Sequence, residues 1–235
     1  DFFMKNSVII VAAGSGKRMK STIAKQYIEL KGRTILSYTV ETFEKSDNID
    51  EIILVTSQEA IDFVTKNIVN KYQFTKVKAV VAGGAERQDS VYNGLKKVSK
   101  DTDVVLIHDG VRPFVNDSYI TKLESIAMEF GACVLGAPVK DTIKICDSEG
   151  YIVDTPNRST LWLAQTPQCF KYDVIINAYE KAYKEGYTGT DDSVLVEKTG
   201  VKVKMVEGDY NNIKITTPED LYIGEVILEN LLKGR

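Results

Sequence analysis

Short apolar runs alternate along the chain with longer segments whose apolar residues recur at helical spacing. The runs that we predict to be strands, each bounded by turn residues, are Val8–Ala12, Ile52–Thr56, Val77–Val81, Val104–His108 and Ala132–Ala137. The segments that we predict to be helices are Ile35–Phe43, Ala60–Val69, Ser90–Val98 and Tyr119–Phe130. This alternation is typical of βαβ units, so we predict an α/β fold with a Rossmann-like, mostly parallel sheet covered by helices on both faces.

The alternation breaks between Val139 and Gln168. Two short extended stretches, Thr142–Cys146 and Tyr151–Thr155, are joined there by Asp-Ser-Glu-Gly, which is a good turn sequence. We predict a protruding β-hairpin arm around residues 139–168, of the kind that often serves a partner subunit. An ordinary sheet edge fits the pattern equally well.

Helical patterns return in the last third of the chain. The predicted elements there are the helices Tyr172–Lys184 and Asp191–Thr199 and the strand Val201–Val206. A last helix is predicted to begin with Thr217 as N-cap, Pro218 as the first helical residue and Asp220 closing a capping box. Since we find no repeat or low-complexity linker, we predict a single domain over residues 4–235 and expect Asp1-Phe2-Phe3 to be a cloning remnant.

Composition and charge narrow the class of protein. An apolar share of 43% is ordinary for a chain that buries a core, and a net charge of −3 with both signs interspersed argues against a polybasic face for nucleic acid or membrane. Cys133, Cys146 and Cys169 are widely spaced and form no CxxC motif, and we find no secretory signal or membrane-length apolar run. We therefore expect a cytoplasmic protein that binds neither nucleic acid nor a membrane.

The first predicted strand ends in AAGSGKRM, a glycine-rich basic loop that suggests phosphate binding. It is not a P-loop, because Val11 stands where the first glycine is needed and Arg18 where Ser or Thr should follow Gly16-Lys17. The dinucleotide fingerprint is also weak, because Met19 stands in place of the third glycine after Gly14 and Gly16. What remains is a polyphosphate cradle of glycines and cations or, equally well, a solvated basic turn.

The segment VVLIHDGVRPF carries the second candidate group. Asp109 directly follows an apolar strand, where a carboxylate can hold Mg²⁺ against substrate phosphates, although an Asx-turn is the commoner role for such a residue. Arg112 fits either a phosphate clamp or a surface ion pair. We interpret His108 as a satisfied strand-end residue, because the chain has no second histidine with which to build a metal site.

The segment VAGGAERQDSV follows another predicted strand. Its paired glycines suit packing against a flat base, the Ser90 hydroxyl can bond a base edge, and Asp89 is interpreted as a helix cap. Because ligands of parallel sheets collect at the carboxyl ends of the strands, the loops after Ala12, Val81 and His108 are predicted to share one crevice.

Four further polar residues carry no decisive signal on their own, namely Arg158, Thr166, Thr190 and Lys214. Thr190 is a ready N-cap for Asp191 and Asp192, and Lys214 is equally well a solvated strand residue. No Ser-His-Asp arrangement and no metal-spaced His/Cys cluster is visible, so nucleophilic catalysis by the protein is not favoured.

Seven motifs in order carry a resemblance over Val8 to about Leu228: AAGSGKRM followed by KQY, GGAERQDSV, HDGVRPF, APVKDTIK, LWLAQTPQ, GTDDSVLVE and NIKITTPEDL. The chain resembles the 2-C-methyl-D-erythritol 4-phosphate cytidylyltransferases. That resemblance implies a fold of the nucleotidyltransferase type and Mg²⁺-assisted transfer of a cytidylyl group from CTP to a sugar-alcohol phosphate of the non-mevalonate isoprenoid pathway. It also implies a homodimer that forms through the β-arm.

The resemblance implies a role for each matching position. Arg18 and Lys25 match the catalytic cations, and Asp109 matches the Mg²⁺ carboxylate. The positions implied to bind the nucleotide are Ala12, Ala13, Gly14, Ser15, Gly16, Lys17, Gly84, Ser90, Asp109 and Lys214. The positions implied to bind the acceptor are Arg112, Thr142, Arg158, Thr166 and Thr190, of which Thr142 and Arg158 are expected to serve a neighbouring subunit. One departure from the family pattern is Ala85, which stands where some members carry an acidic residue beside the base.

Three alternatives remain open from the sequence. A ribitol 5-phosphate cytidylyltransferase shares the first loop, the HD motif and QTPQ, but APVKDTIK and GTDDSVLVE favour the methylerythritol branch. A non-catalytic nucleotide or phosphosugar sensor on the same fold is less favoured, because Arg18, Lys25 and Asp109 are retained together. A nicotinamide-dependent dehydrogenase is disfavoured by the missing third glycine.

Overall fold

The computed structural model describes residues 3–14 and 24–234. Its strands are β1 (Asn6–Ala12), β2 (Glu29–Leu30), β3 (Arg33–Thr34), β4 (Glu51–Thr56), β5 (Val77–Ala82), β6 (Val104–Asp109), β7 (Ala132–Pro138), β8 (Ile145–Cys146), β9 (Ile152–Asp154), β10 (Trp162–Lys171) and β11 (Lys204–Glu207). Its helices are α1 (Ile35–Glu44), α2 (Ile61–Val64), α3 (Arg87–Leu95), α4 (Asp117–Phe130), α5 (Tyr172–Glu185), α6 (Asp192–Glu197) and α7 (Pro218–Lys233). A π-helical segment, Thr65–Asn70, continues α2.

The central sheet of the described chain has seven strands in the order β11-β7-β10-β6-β1-β4-β5. β10 runs antiparallel to both of its neighbours, and the other pairings are parallel. The predicted α/β fold with a mostly parallel sheet is confirmed. Because β1, β4 and β6 pair in register, with Val11 beside both Val55 and Asp109, their carboxyl ends meet at one edge.

The core lies on both faces of this sheet. Val8 and Ile10 of β1 face one way and pack in a buried cluster with Leu36 of α1, whereas Ile9 faces the other way and packs with Val91 of α3. Burying such a side chain fully stabilises the fold by about 1.5–3 kcal/mol. Burial on both faces explains why the strand reads as a continuous apolar run rather than an alternating one.

Strand β10 was not predicted. Its sequence, WLAQTPQCFK, is interrupted by Gln165 and Gln168, which are nevertheless buried. Their side-chain amides donate to the Asp209 carbonyl at 3.0 Å and to Asp191 Oδ2 at 3.0 Å. Buried polar side chains are tolerated when they are paired, and partners so distant in sequence are invisible to a local pattern.

Several element boundaries differ from the prediction. Helix α3 begins at Arg87 rather than Ser90, and Asp89 caps it from its first turn by accepting a bond from the Glu86 amide at 3.1 Å. The prediction of Thr190 as an N-cap was wrong, because Asp191 caps α6 by accepting from the Val194 amide at 2.9 Å.

Near the C-terminus one predicted element is displaced in the structure and another is confirmed. The last strand was predicted over Val201–Val206 but lies at Lys204–Glu207. The predicted start of α7 is confirmed, since Asp220 N donates to Thr217 Oγ1 at 3.3 Å and Thr217 N donates to Asp220 Oδ2 at 2.9 Å.

The segment between β7 and β10 carries β8 and β9, which pair antiparallel as a separate two-stranded sheet. Asp147 shapes the turn by accepting the Glu149 amide at 2.9 Å and the Tyr151 amide at 3.0 Å. The pair is not an edge of the central sheet, and its side chains are exposed. Its role as a dimerisation arm stays a prediction.

Candidate active site

A cleft of about 220 Å³ opens at the carboxyl edge of the sheet. It is lined by the end of β1 and its loop, by the loop and helix start after β5, and by the end of β6, as the shared crevice was predicted to be. The predicted nucleotide and catalytic positions that line it are Ala12, Ala13, Gly14, Lys25, Gly84, Ser90, Asp109 and Lys214. The remaining predicted members of this group, Ser15, Gly16, Lys17 and Arg18, lie outside the described residues.

The loop after β1 is held by Gln26, which sequence reasoning did not single out. The Gln26 side chain is buried, and its Nε2 donates to the carbonyls of Ala12 at 2.7 Å and Gly14 at 3.0 Å. Lys25 precedes it in the turn Lys25–Tyr27 and lines the cleft. The signal for Gln26 was its place in KQY, between a predicted catalytic lysine and a tyrosine that packs on the core.

The loops after β1 and β5 approach each other closely at Gly83. A Cβ on Gly83 would lie 2.5 Å from Ser90 Oγ and 2.6 Å from Ala13 Cβ. The Ser90 hydroxyl in turn accepts a bond from the Gly84 amide at 3.1 Å. Ser90 therefore shapes this wall of the cleft, and its predicted contact with a base edge stays a prediction.

Asp109 ends strand β6 and is 7% exposed. Within the described chain, Arg112 Nε lies 3.2 Å and Lys214 Nζ 3.6 Å from its Oδ2, and Arg87 Nη2 lies 3.6 Å from its Oδ1. Burial alone would raise the pKa of Asp109, but Lys214, Arg87 and Arg112 outweigh burial and hold that pKa well below its usual range. These three cations therefore favour the ionised form of Asp109.

A chain of hydrogen bonds supports Asp109 from behind. The Asp109 amide donates to Thr166 Oγ1 at 3.0 Å, Thr166 Oγ1 lies 2.9 Å from His108 Nδ1, and His108 Nε2 lies 2.9 Å from the Arg112 carbonyl. A carbonyl only accepts, so Nε2 carries the proton and the Thr166 hydroxyl donates to Nδ1. Burial lowers the pKa of His108 to about 4, which keeps the ring neutral. His108 is confirmed as a satisfied strand-end residue.

Thr166 and Arg112 were predicted to bind the acceptor, and in the structure both side chains form contacts within the protein. Thr166 is buried beneath Asp109. The Arg112 side chain is 11% exposed, and its Nη1 donates to the Asn212 carbonyl at 2.8 Å. The ion pair of Arg112 with Asp109 is therefore largely buried rather than on the surface. Lys214, by contrast, is 37% exposed at the rim and can reach a ligand.

The donor set around Asp109 is consistent with Mg²⁺. Among the residues that the structure describes, no group of three or more His, Cys, Asp or Glu side chains could hold a metal alone. Mg²⁺ sites commonly combine one or two carboxylates with substrate phosphates and water. Asp109 supplies such a carboxylate, so the residues fit a metal that arrives with a polyphosphate.

Arg87 is a further residue of the cleft that sequence reasoning missed, because its motif was interpreted for its glycines and its helix cap. Its guanidinium forms two bonds to Asp192, from Nη1 at 3.2 Å and from Nη2 at 3.0 Å. Pairing with Asp192 raises the pKa of Arg87 above its usual range. Arg87 also lines a neighbouring cavity of about 90 Å³, which contains the predicted acceptor residue Thr190.

The remaining predicted acceptor residues lie elsewhere. Thr142 is exposed between β7 and β8, and Arg158 is exposed after β9, where its Nη1 donates to the Lys140 carbonyl at 2.7 Å. Neither lines the cleft in the described part of this chain. None of the described helices is long and apolar enough to cross a membrane.

An α/β sheet with a cation-lined cleft at its carboxyl edge is an arrangement that nucleotide-binding proteins commonly use. The family model described as 2-C-methyl-D-erythritol 4-phosphate cytidylyltransferase (IspD) matches residues 6–230. The chain belongs to this family and is a nucleotidyltransferase, which confirms the resemblance seen in the motifs.

Individual relatives agree with the family assignment. The 2-C-methyl-D-erythritol 4-phosphate cytidylyltransferase of Clostridioides difficile is 55% identical over 222 residues, which are 94% of this chain and 93% of that protein. The enzyme of the same name from Clostridium botulinum strain Loch Maree is 53% identical, over 97% of this chain and 99% of its own. The crystal structure of 4-diphosphocytidyl-2C-methyl-D-erythritol synthase from Anaerococcus prevotii matches with a TM-score of 0.85 at 38% identity, covering 96% of each chain.

Proposed function

We propose that this protein transfers the cytidylyl group of CTP to 2-C-methyl-D-erythritol 4-phosphate, releasing pyrophosphate and forming the CDP-linked product of the non-mevalonate isoprenoid pathway. The observation that carries the proposal is the ionised, buried carboxylate of Asp109 among cations at the carboxyl edge of the sheet. The family membership and the names of the relatives support the choice of nucleotide and acceptor.

The transfer is an in-line displacement at phosphorus. A phosphate oxygen of the acceptor forms a new bond to the α-phosphorus of CTP, while the bond from that phosphorus to the bridging oxygen breaks and its electrons leave with pyrophosphate. The attacking phosphate is already ionised at neutral pH, so no general base is required. Two polyanions must approach each other, and the work of the site is therefore to position them and to offset their charge.

The side chains of the cleft supply that charge. Lys25 sits beside the loop that Gln26 holds, where its ammonium can face the nucleotide phosphates, and Lys214 can turn from Asp109 toward them. Arg18 is assigned the same role by its place in the motif and lies outside the described residues. Mg²⁺ bound with CTP at Asp109 would neutralise phosphate charge and help align the reacting groups.

Base and acceptor recognition follow from the walls of the cleft. Ala85 has no polar side chain, so cytosine selection rests on backbone groups of the loop that Gly83, Gly84 and Ser90 shape. We assign the acceptor to the side of Arg87 on which Thr190 lies, with Arg112 and Thr166 behind Asp109. Thr142 and the exposed hairpin of a second subunit would complete that side in a homodimer.

The experiment that tests the proposal is pyrophosphate release with Mg²⁺ and CTP, run in parallel with methylerythritol 4-phosphate and ribitol 5-phosphate. Release with the first acceptor alone is the expected result. Release with ribitol 5-phosphate alone would keep the chemistry and overturn the acceptor. CTP binding without release from either would favour a sensor. Size-exclusion chromatography with light scattering tests the homodimer separately, and the cytoplasmic location stays a prediction.

A further inference from the structure

Arg87 lies between two carboxylates at the boundary of the two cavities. It is the first residue of α3, and its guanidinium forms paired bonds of 3.2 and 3.0 Å to Asp192, the first residue of α6. The same Nη2 atom lies 3.6 Å from Asp109 Oδ1, beyond ordinary hydrogen-bond distance. Arg87 is thus bound to Asp192 and only in electrostatic contact with Asp109.

Asp192 is placed to hold that guanidinium firmly. Its side chain is 0% exposed, and besides Arg87 it accepts a bond of 2.5 Å from the Tyr179 hydroxyl. A buried carboxylate needs such partners, and a guanidinium matches a carboxylate best in this two-bond geometry. The ion pair therefore offsets the positive charge of Arg87 and fixes the direction of its guanidinium.

The two oxygens of Asp109 have different surroundings. Oδ2 faces Arg112 Nε at 3.2 Å and Lys214 Nζ at 3.6 Å, whereas Arg87 stands back from Oδ1. If Asp192 lost its negative charge, Asp109 would be the remaining carboxylate near the Arg87 guanidinium among the residues that the structure describes. Arg87 would then close on Oδ1 and compete with a cation for it.

We propose that Asp192 is a positioning residue of this site, which holds the Arg87 guanidinium away from Asp109 Oδ1 and so leaves that oxygen available to a divalent cation bound with a nucleoside triphosphate. The inference rests on the proposed function. It concerns how Asp192 acts through Arg87, not a contact of Asp192 with substrate.

The test is direct binding of Mn²⁺, a paramagnetic substitute for Mg²⁺, in the presence of CTP and without acceptor. Electron paramagnetic resonance follows the free ion, and the Mn²⁺ that CTP binds without protein is subtracted. Asp192→Asn keeps the shape of the side chain and removes its charge. We expect the Kd for Mn²⁺ to rise by about 10- to 100-fold, as for other residues that orient metal ligands. In Arg87→Met/Asp192→Asn the competing cation is also gone, and the Kd should return to the wild-type value or below.

The matched control is Glu51→Gln, the same change of a carboxylate to an amide at a buried residue near the amino end of β4, where Glu51 binds Ser7 and Ser99. It should lower the melting temperature and leave Mn²⁺ binding unchanged. Equal Mn²⁺ affinity of Asp192→Asn and wild type would overturn the proposal, as would a double variant that binds no better than Asp192→Asn.

Two further outcomes can be distinguished, namely a variant that does not fold and a failure of the proposed function. If Asp192→Asn does not fold, the test rests on the double variant, which leaves no unpaired buried charge. Weaker Mn²⁺ binding by the double variant than by the wild type would then overturn the proposal. Product formation by the wild-type enzyme is measured first with methylerythritol 4-phosphate. No product there contradicts the proposed function, whereas an active wild type with unchanged metal binding in Asp192→Asn contradicts only the role of Asp192.

Discussion

The hydroxyl of Thr166 lies 2.9 Å from Nδ1 of His108, and this contact joins the antiparallel strand β10 to the strand that ends in Asp109. The same hydroxyl accepts the amide of Asp109 at 3.0 Å. A neutral histidine and a threonine therefore fix the backbone on either side of the Asp109 carboxylate. Neither residue needs to contact a substrate in order to influence the site.

Replacing Thr166 by valine should lower both stability and turnover. The change keeps the shape but leaves the Asp109 amide and His108 Nδ1 without partners in a buried site. We expect the free energy of unfolding to fall by about 1–3 kcal/mol, measured by urea denaturation. Thr166→Ser is the control, because it retains the hydroxyl. Equal stability of the valine and serine variants would contradict this support role.

Replacing Lys25 by alanine should remove most turnover and leave the fold intact. The side chain lines the cleft at the end of the loop after β1, where the proposed mechanism places the α-phosphate of CTP. Loss of one such electrostatic contact typically lowers kcat by about 10²–10³. Steady-state kinetics with a circular dichroism spectrum measures both effects, with Lys66→Ala, an exposed lysine of the π-helical segment, as control. Near-normal activity of the Lys25 variant would overturn the site assignment.

Gly83→Ala should weaken CTP binding. The added Cβ would meet Ser90 Oγ at 2.5 Å and Ala13 Cβ at 2.6 Å, so the loops after β1 and β5 would be pushed apart. Overpacking of this kind lowers the free energy of unfolding by about 1–3 kcal/mol. Isothermal titration calorimetry should show a higher Kd for CTP, while Gly234→Ala, whose nearest neighbour would be the Asn230 carbonyl at 3.6 Å, should bind as the wild type does. An unchanged Kd in Gly83→Ala would show that the two loops separate without affecting the cleft.

Stability should decline as the pH rises because of Glu124. Burial raises the pKa of this helix α4 side chain to about 8, helped by Asp117 and Asp50, and its Oε1 has no hydrogen-bond partner among the residues that the structure describes. The folded state therefore holds this proton more tightly than the unfolded state, whose glutamate pKa is about 4.5. The free energy of unfolding should fall from about pH 4.5 to about pH 8 and level off above.

Glu124→Gln is the variant that isolates this effect, because it keeps the size of the side chain and cannot ionise. Urea denaturation at several pH values should give a flatter dependence for the variant than for the wild type. Parallel curves for the two proteins would assign the decline to other groups.

Much of this molecule could be predicted from local patterns. The runs at Val8–Ala12 and Val104–His108 are apolar because both faces of a central parallel strand are buried, and that property is written in consecutive residues. The loops that follow such strands meet at one edge for geometric reasons, so the position of Asp109 beside Gly84 and Lys25 was predictable.

The tertiary structure alone decided the rest, because the partners concerned are far apart in sequence. Strand β10 is held by buried glutamines whose partners, Asp191 and Asp209, lie 23 and 44 positions away. Arg87 binds Asp192 across 105 positions, and no spacing rule connects them. Local sequence determines most of the strands and helices, though not β10, and where the ligand edge lies. The pairing of buried charges depends on where those segments pack, and packing sets which cation faces which carboxylate.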